Sequence, residues 1–158
     1  MEFSYVNPTQ IHFGQGKIAS VSDAIPSASK VLVIYGGGSI KKNGVYQQVQ
    51  SALANHTWLE FSGVEPNPTM ETLDKAVVIA KAEKIDYILA VGGGSVIDGA
   101  KYVAAAACYD GAGWDILLGK HSVTEAIAIG AVLTLIGNLL ADLGYAWADP
   151  RVRKGIIR

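Results

Sequence analysis

The sequence predicts a doubly wound α/β domain, a mostly parallel sheet with helices on both faces. Three observations carry this expectation. The runs VLVIY at 31–35 and YILAV at 87–91 are continuous and apolar, as in strands buried on both faces. Segments of helix length separate the strand candidates, the order that yields parallel pairing through crossovers. The tetrapeptide GGGS occurs twice, each time directly after one of those buried runs.

Taken in order, Ile11, His12 and Phe13 make a short strand-like piece closed by Gly14 and Gly16. Lys30 leads into the first buried strand. Residues 39–54 suit a helix, with Val45, Val49 and Leu53 at helical spacing. TWLEF at 57–61 is the second strand, followed by the loop GVEPNP at 63–68. Thr69 caps a helix that runs to about Glu83, with Leu73, Val77 and Ile79 on its apolar side. Residues 87–91 form the third strand, and 96–108 an alanine-rich helix in which Cys108 is expected to be buried. Residues 127–135 make a fourth strand. Beyond it, Ile136, Leu140, Leu143 and Trp147 fall at helical spacing despite Gly137 and Gly144. Asp149-Pro150 stops that helix, and Arg151, Arg153, Lys154 and Arg158 make a basic tail.

The composition narrows the class. The chain has 158 residues, 50% of them hydrophobic, enough for one domain with a sizeable core. Thirteen basic residues nearly balance fourteen acidic ones, so the net charge of -1 gives no reason to expect nucleic acid or an anionic membrane as partner. The single cysteine precludes an internal disulfide and fits a reducing compartment. The start, MEFSYVNPTQ, lacks the basic and apolar regions of a signal peptide. The apolar run 126–141 is interrupted by Asn138 and too short for a membrane helix. A soluble, cytoplasmic protein is expected.

Both glycine turns, Gly36-Gly37-Gly38-Ser39 and Gly92-Gly93-Gly94-Ser95, fall at the carboxyl edge of the sheet, where open α/β sheets hold ligands. Glycines there permit a sharp turn and let a ligand approach the backbone amides. Ser95 is expected to be the N-cap of the next helix, with Asp98 three residues on at the spacing of a capping box. The free amides and partial positive charge of a helix N-terminus suit a phosphate. Tight turns without a ligand are the alternative. Neither turn is a G-x-G-x-x-G fingerprint or a P-loop. Asp98 and Lys101 share a helix face, and two readings stay open for them: a surface ion pair, or contacts to a cofactor.

GGGSVIDGAK at 92–101 resembles the GGGSxxDxxK motif of the iron-containing, group III alcohol dehydrogenases. The resemblance extends to NPTQIHFGQG, YGGGSIKKNGV, FSGVEPNPT, GWDIL and AIGAVLTL, in order over about the first 135 residues. It is strongest to the NADPH-dependent aldehyde reductases and butanol dehydrogenases of that family, and it implies a Rossmann-like cofactor domain. By this resemblance Gly92, Gly93, Gly94 and Ser95 would cradle the pyrophosphate of the cofactor. Asp98 would lie toward the nicotinamide ribose. Asn67, Thr134 and the adjoining Leu135 would line the adenosine side, and Gly36, Gly37, Gly38 and Ser39 would surround the adenine ribose. Members that prefer NAD carry an aspartate about where Gly36 stands. Its absence here, with Lys41 and Lys42 close by, favours NADP(H), although either lysine equally suits a solvated helix face.

After Leu133-Thr134-Leu135 the sequence departs from the family, which continues with a proline and a T-G-S-E segment. The expected division is therefore a dinucleotide-binding domain over 1–135 and a non-family helix and tail over 136–158. The family's helical domain, with its aspartate and three histidines for a catalytic iron or zinc, is expected to be absent. His12, His56 and His121 are isolated in sequence, and no metal is expected to bind here. The expected function is hydride transfer between NADP(H) and a small alcohol or aldehyde, weak without the metal, with Asp98 and Lys101 as possible helpers and the catalytic residues otherwise unknown. The alternative is a non-catalytic dinucleotide-binding or oligomerisation module. A third reading, kinship with glycerol dehydrogenase or dehydroquinate synthase, is opposed by GVEPNPT and YGGGS. Packing of the 136–147 helix against a partner predicts a homo-oligomer.

Overall fold

The computed structural model describes residues 7–134. Four strands form one parallel sheet in the order β2-β1-β3-β4: β1 Lys30–Tyr35, β2 Thr57–Phe61, β3 Tyr87–Gly92 and β4 Ala128–Leu133. The two runs that read as doubly buried strands are the two central ones, and the alternation along them divides the core. Leu32, Ile34, Ile88 and Ala90 face one side, under helices α4 (Met70–Ala82) and α5 (Gly94–Ala107). Val31, Val33, Tyr35, Leu89 and Val91 face the other, against Ile25 at the end of α1 (Val21–Ala24), Ile40 of α2 (Ser39–Lys42), and Val49 of α3 (Val45–Ala52). Helices thus cover both faces, as a period of two along wholly apolar strands requires.

The alanines of α5 let it approach its neighbours closely. Gly99 faces α4 so tightly that a Cβ would stand 2.8 Å from Leu73 Cδ2. α4 begins where Thr69 Oγ1 accepts the amide of Thr72 at 3.4 Å, the cap its sequence predicts. It ends at Lys84, which adopts a left-handed φ of 52° while Ile85 N–H donates to the Ala80 carbonyl at 2.9 Å.

Several expectations are corrected. Residues 11–13 form no strand, and Ile11 and Phe13 are exposed. The helix expected over 39–54 is two helices, because the chain turns through Gly44 at φ 80°. The helix after the second glycine turn starts at Gly94, not Val96, and Cys108, just past its end, is exposed rather than buried. GWDIL forms a short helix, α6 (Gly113–Leu117). β4 is shorter than the expected 127–135, and its Ile129 and Leu133 are exposed. Leu135 and the segment 136–158, with its expected helix, tail and partner contacts, lie outside the described residues.

Candidate functional site

The strand order places a switch point between β1 and β3. The chain leaves β1 toward β2 on one side and leaves β3 toward β4 on the other. Loops at their carboxyl ends therefore diverge and leave a crevice, the usual ligand position in open α/β sheets. Both glycine turns lie at that crevice. A third loop closes on them: Val64 N–H donates to the Tyr35 carbonyl at 3.2 Å and Gly63 N–H to Gly36 at 3.1 Å. From α5, Ser95 Oγ accepts the amide of Asn67 at 3.4 Å. Thr134 N–H donates to the Gly92 carbonyl at 3.0 Å, which sets the end of β4 beside the second turn. Residues from four separate segments thus meet at one sheet edge.

The six glycines have different reasons to be glycine. A Cβ on Gly92 would stand 2.7 Å from Val96 Cγ2, and one on Gly36 would stand 3.1 Å from the Val64 carbonyl oxygen. Gly38 adopts φ 91°, which side chains rarely tolerate. Packing and backbone account for these three. Gly37, Gly93 and Gly94 differ: a Cβ on any of them would meet nothing within 4 Å, and none has a positive φ. Nothing inside the described protein requires their bareness. What it leaves is open space against backbone amides.

α5 carries the polar component. Its N-cap is Gly93, not Ser95, and no side chain caps it. The expected capping box of Ser95 and Asp98 does not form, because the Ser95 hydroxyl is turned to the 67 loop. Among the described residues the amides of Gly94 and Ser95 have no hydrogen-bond acceptor, so they and the helix dipole face the crevice. Asp98 lies a turn further on and pairs with Lys101 at 3.0 Å, both well exposed. It also borders an apolar cleft of 370 Å³ beside Pro68, Gly99, Tyr102 and Trp114. The structure therefore joins Ser95, Asn67, Thr134 and the glycines, and leaves Asp98 and Lys101 on the flank.

Glu65 holds the 63–69 loop in place. Its Oε1 accepts from the Thr69 amide and hydroxyl, both at 2.9 Å, and from the Thr72 hydroxyl at 3.0 Å. These bonds, the Thr69 amide foremost, hold its carboxyl down to about 2. Around the first turn, Tyr35, Gly36, Gly37, Gly38, Lys41, Ser62 and Gly63 line an open hollow of 260 Å³. Ser39 begins α2 beside it and is exposed, as is Lys42 at the far end of α2. Lys41 Nζ stands 3.7 Å from Glu60 Oε1 and 4.6 Å from the Tyr46 ring centroid. The Tyr46 hydroxyl donates to Glu60 Oε2 at 2.6 Å, and that bond leads in lowering the Glu60 carboxyl below its usual range. Glu60 and Glu65 escaped the sequence reading. The alternation of TWLEF places a charge within a strand, the one local sign of Glu60.

The histidines do not converge. His12 is exposed, His56 Nε2 lies 3.3 Å from the Ile25 carbonyl, and His121 stacks on Tyr109 with centroids 3.9 Å apart. Among the described residues no three His, Cys, Asp or Glu side chains are grouped to hold a metal, so those residues do not fit the family's metal. Among them also, no helix is long and apolar enough to cross a membrane.

A parallel sheet with a glycine-lined crevice at its switch point and an uncapped helix aimed into it defines a Rossmann-like α/β domain. The chain belongs to the iron-containing alcohol dehydrogenase family, whose profile matches residues 8–139. It is 44% identical to a probable NADH-dependent butanol dehydrogenase of Bacillus subtilis, over 95% of this chain and 43% of that one. That match reaches past residue 135. It is 49% identical to the NADPH-dependent aldehyde reductase YqhD of Escherichia coli, over 84% of this chain and 35% of the relative. The crystal structure of an NADH-dependent butanol dehydrogenase from Thermotoga maritima superposes with a TM-score of 0.81 at 49% identity, over 84% of this chain and 34% of that one. The chain thus spans well under half the length of these relatives. Their coenzymes include both NADH and NADPH.

Proposed function

We propose that this chain binds NADP(H) across its two glycine turns and forms the cofactor-binding part of an alcohol dehydrogenase or aldehyde reductase, its dinucleotide-binding domain ending near residue 135. The observation that carries the reading is the bareness of Gly37, Gly93 and Gly94, which packing and backbone leave unexplained. The amides of Gly94 and Ser95, at the positive end of α5, take the pyrophosphate. The hollow of Gly36, Gly37 and Gly38 takes the adenine ribose, with Lys41 at its edge, and Asn67 and Thr134 close the adenosine side. Lys41 favours the coenzyme with the extra phosphate, so NADPH binds more tightly than NADH. Bound nicotinamide supplies the hydride in this chemistry. The protein's share is to fix the dinucleotide by its phosphates and ribose, so that Asp98 and the apolar cleft beside it border the reacting end, where a small alcohol or aldehyde is the substrate.

The competing reading, a module that binds the dinucleotide without turnover, draws on the lack of a metal-ligand group among the described residues. Fluorescence titration with NADPH, followed by absorbance assays with a short aldehyde with and without added Fe²⁺ or Zn²⁺, separates the two. Binding with turnover above the no-protein rate supports the oxidoreductase; binding without turnover supports the module; absence of binding sinks both. Light scattering on the same sample reads the expected homo-oligomer.

A further inference from the structure

We propose that Glu60 is a specificity-determining residue: by sharing the Lys41 ammonium at the mouth of the first glycine turn, it restrains preference for NADPH over NADH. This rests on assigning that hollow to the adenine ribose of the cofactor. Lys41 is the one cation lining the hollow among the described residues. Its ammonium is not free. Glu60 Oε1 lies 3.7 Å away, and the rings of Tyr46 and Tyr35 have centroids 4.6 and 5.2 Å from Nζ. Glu60 is itself held, its second oxygen bonded by the Tyr46 hydroxyl at 2.6 Å. It stands on β2 opposite Val33, on the sheet face that α2 and α3 cover. The carboxylate therefore comes from the neighbouring strand, while the turn itself offers only glycines and a serine.

The two side chains are 46% and 40% exposed, so a ligand in the hollow can reach the lysine and feel the carboxylate. The 2′-phosphate of NADPH carries nearly two negative charges at neutral pH. Its attraction to Lys41 competes with the existing pair, and Glu60 repels it. The 2′-hydroxyl of NADH is neutral, so neither effect operates. Glu60 thus acts on the ratio of the two affinities rather than on both. Half-exposed pairs of this kind shift binding by a small factor, roughly threefold.

The test is titration of the whole chain with NADPH and NADH, for the unmodified protein, Glu60→Gln, Lys41→Met and the double variant. Glu60→Gln is expected to tighten NADPH roughly threefold and to leave NADH unchanged, and added salt should shrink that gain. Lys41→Met should lower the NADPH/NADH ratio, and in its background the gain from Glu60→Gln should fall by half or more. Equal shifts of both coenzymes with Glu60→Gln would show a merely structural role and overturn the proposal. So would an unchanged ratio with Lys41→Met, whatever Glu60→Gln does. Failure of the unmodified chain to bind either coenzyme overturns the cofactor assignment itself, a result distinct from binding that Glu60 does not tune.

Discussion

Gly93→Val tests the phosphate cradle most directly, because the structure separates what it does to the fold from what it does to the ligand. Gly93 has φ -89° and ψ -170°, extended backbone that any residue adopts. A Cβ there would meet nothing within 4 Å. The fold should therefore lose at most about 1 kcal/mol, the usual penalty for an apolar residue at an N-cap. The ligand should lose far more. Branched carbons would stand where phosphate oxygens reach the amides of Gly94 and Ser95, and each charge-assisted bond contributes about 1.5–3 kcal/mol. Loss of both gives about 3 kcal/mol at the low end, more than roughly a hundredfold in Kd. Gly92→Ala, one residue earlier, is the control. Its Cβ would fall 2.7 Å from Val96 Cγ2 and 3.0 Å from Val96 Cβ, within a stiff, buried, β-branched side chain. That overpacking costs about 1–3 kcal/mol of stability. Circular-dichroism melting and NADPH titration read both variants. A Tm lowered by at most a few degrees, with binding weakened at least roughly a hundredfold, is expected for Gly93→Val, and a larger drop in Tm for Gly92→Ala. Normal NADPH binding by Gly93→Val, or a Tm as low as that of Gly92→Ala, would refute the reasoning.

Gly37→Asp should turn coenzyme preference toward NADH by roughly fivefold, about 1 kcal/mol of like-charge repulsion against the 2′-phosphate. The site has room for the side chain, whereas Gly36 is crowded by the Val64 carbonyl; equal titration midpoints before and after would contradict this. The Glu65 carboxyl is lowered from 4.5 to about 2, so its hold on the 63–69 loop is complete above pH 4.5 and fades as pH falls toward 2. Protection factors of the Thr69 and Thr72 amides, with exchange corrected for the intrinsic rate at each pH, should fall over that interval, and Glu65→Gln should remove this pH dependence. The Tyr102 hydroxyl donates to Asp74 Oδ1 at 2.6 Å in a half-buried site. Tyr102→Phe should cost about 1.5 kcal/mol in denaturant melts, and an unchanged midpoint would contradict this.

The local run of the chain determined the strands, because wholly apolar segments such as 31–35 and 87–91 have nowhere to go but the middle of a covered sheet. It also determined where the two GGGS turns fall, and that Thr69 caps α4, a bond spanning three residues. What it left undecided depends on groups far apart in sequence. Ser95 has the local credentials of an N-cap, yet its hydroxyl is taken by the amide of Asn67, brought in by the loop after β2. Lys41 reads as a free cation until β2 sets Glu60 beside it. Identical letters in the two GGG turns hide different causes: Gly92 is fixed by Val96 and Gly36 by Val64, while Gly37, Gly93 and Gly94 face open space. Cβ room and charge pairing are properties of the packed neighbourhood, set by distances of a few ångströms between separate segments. Periodicity and capping patterns act within a turn or two of one segment, and so carry the elements but not their encounters.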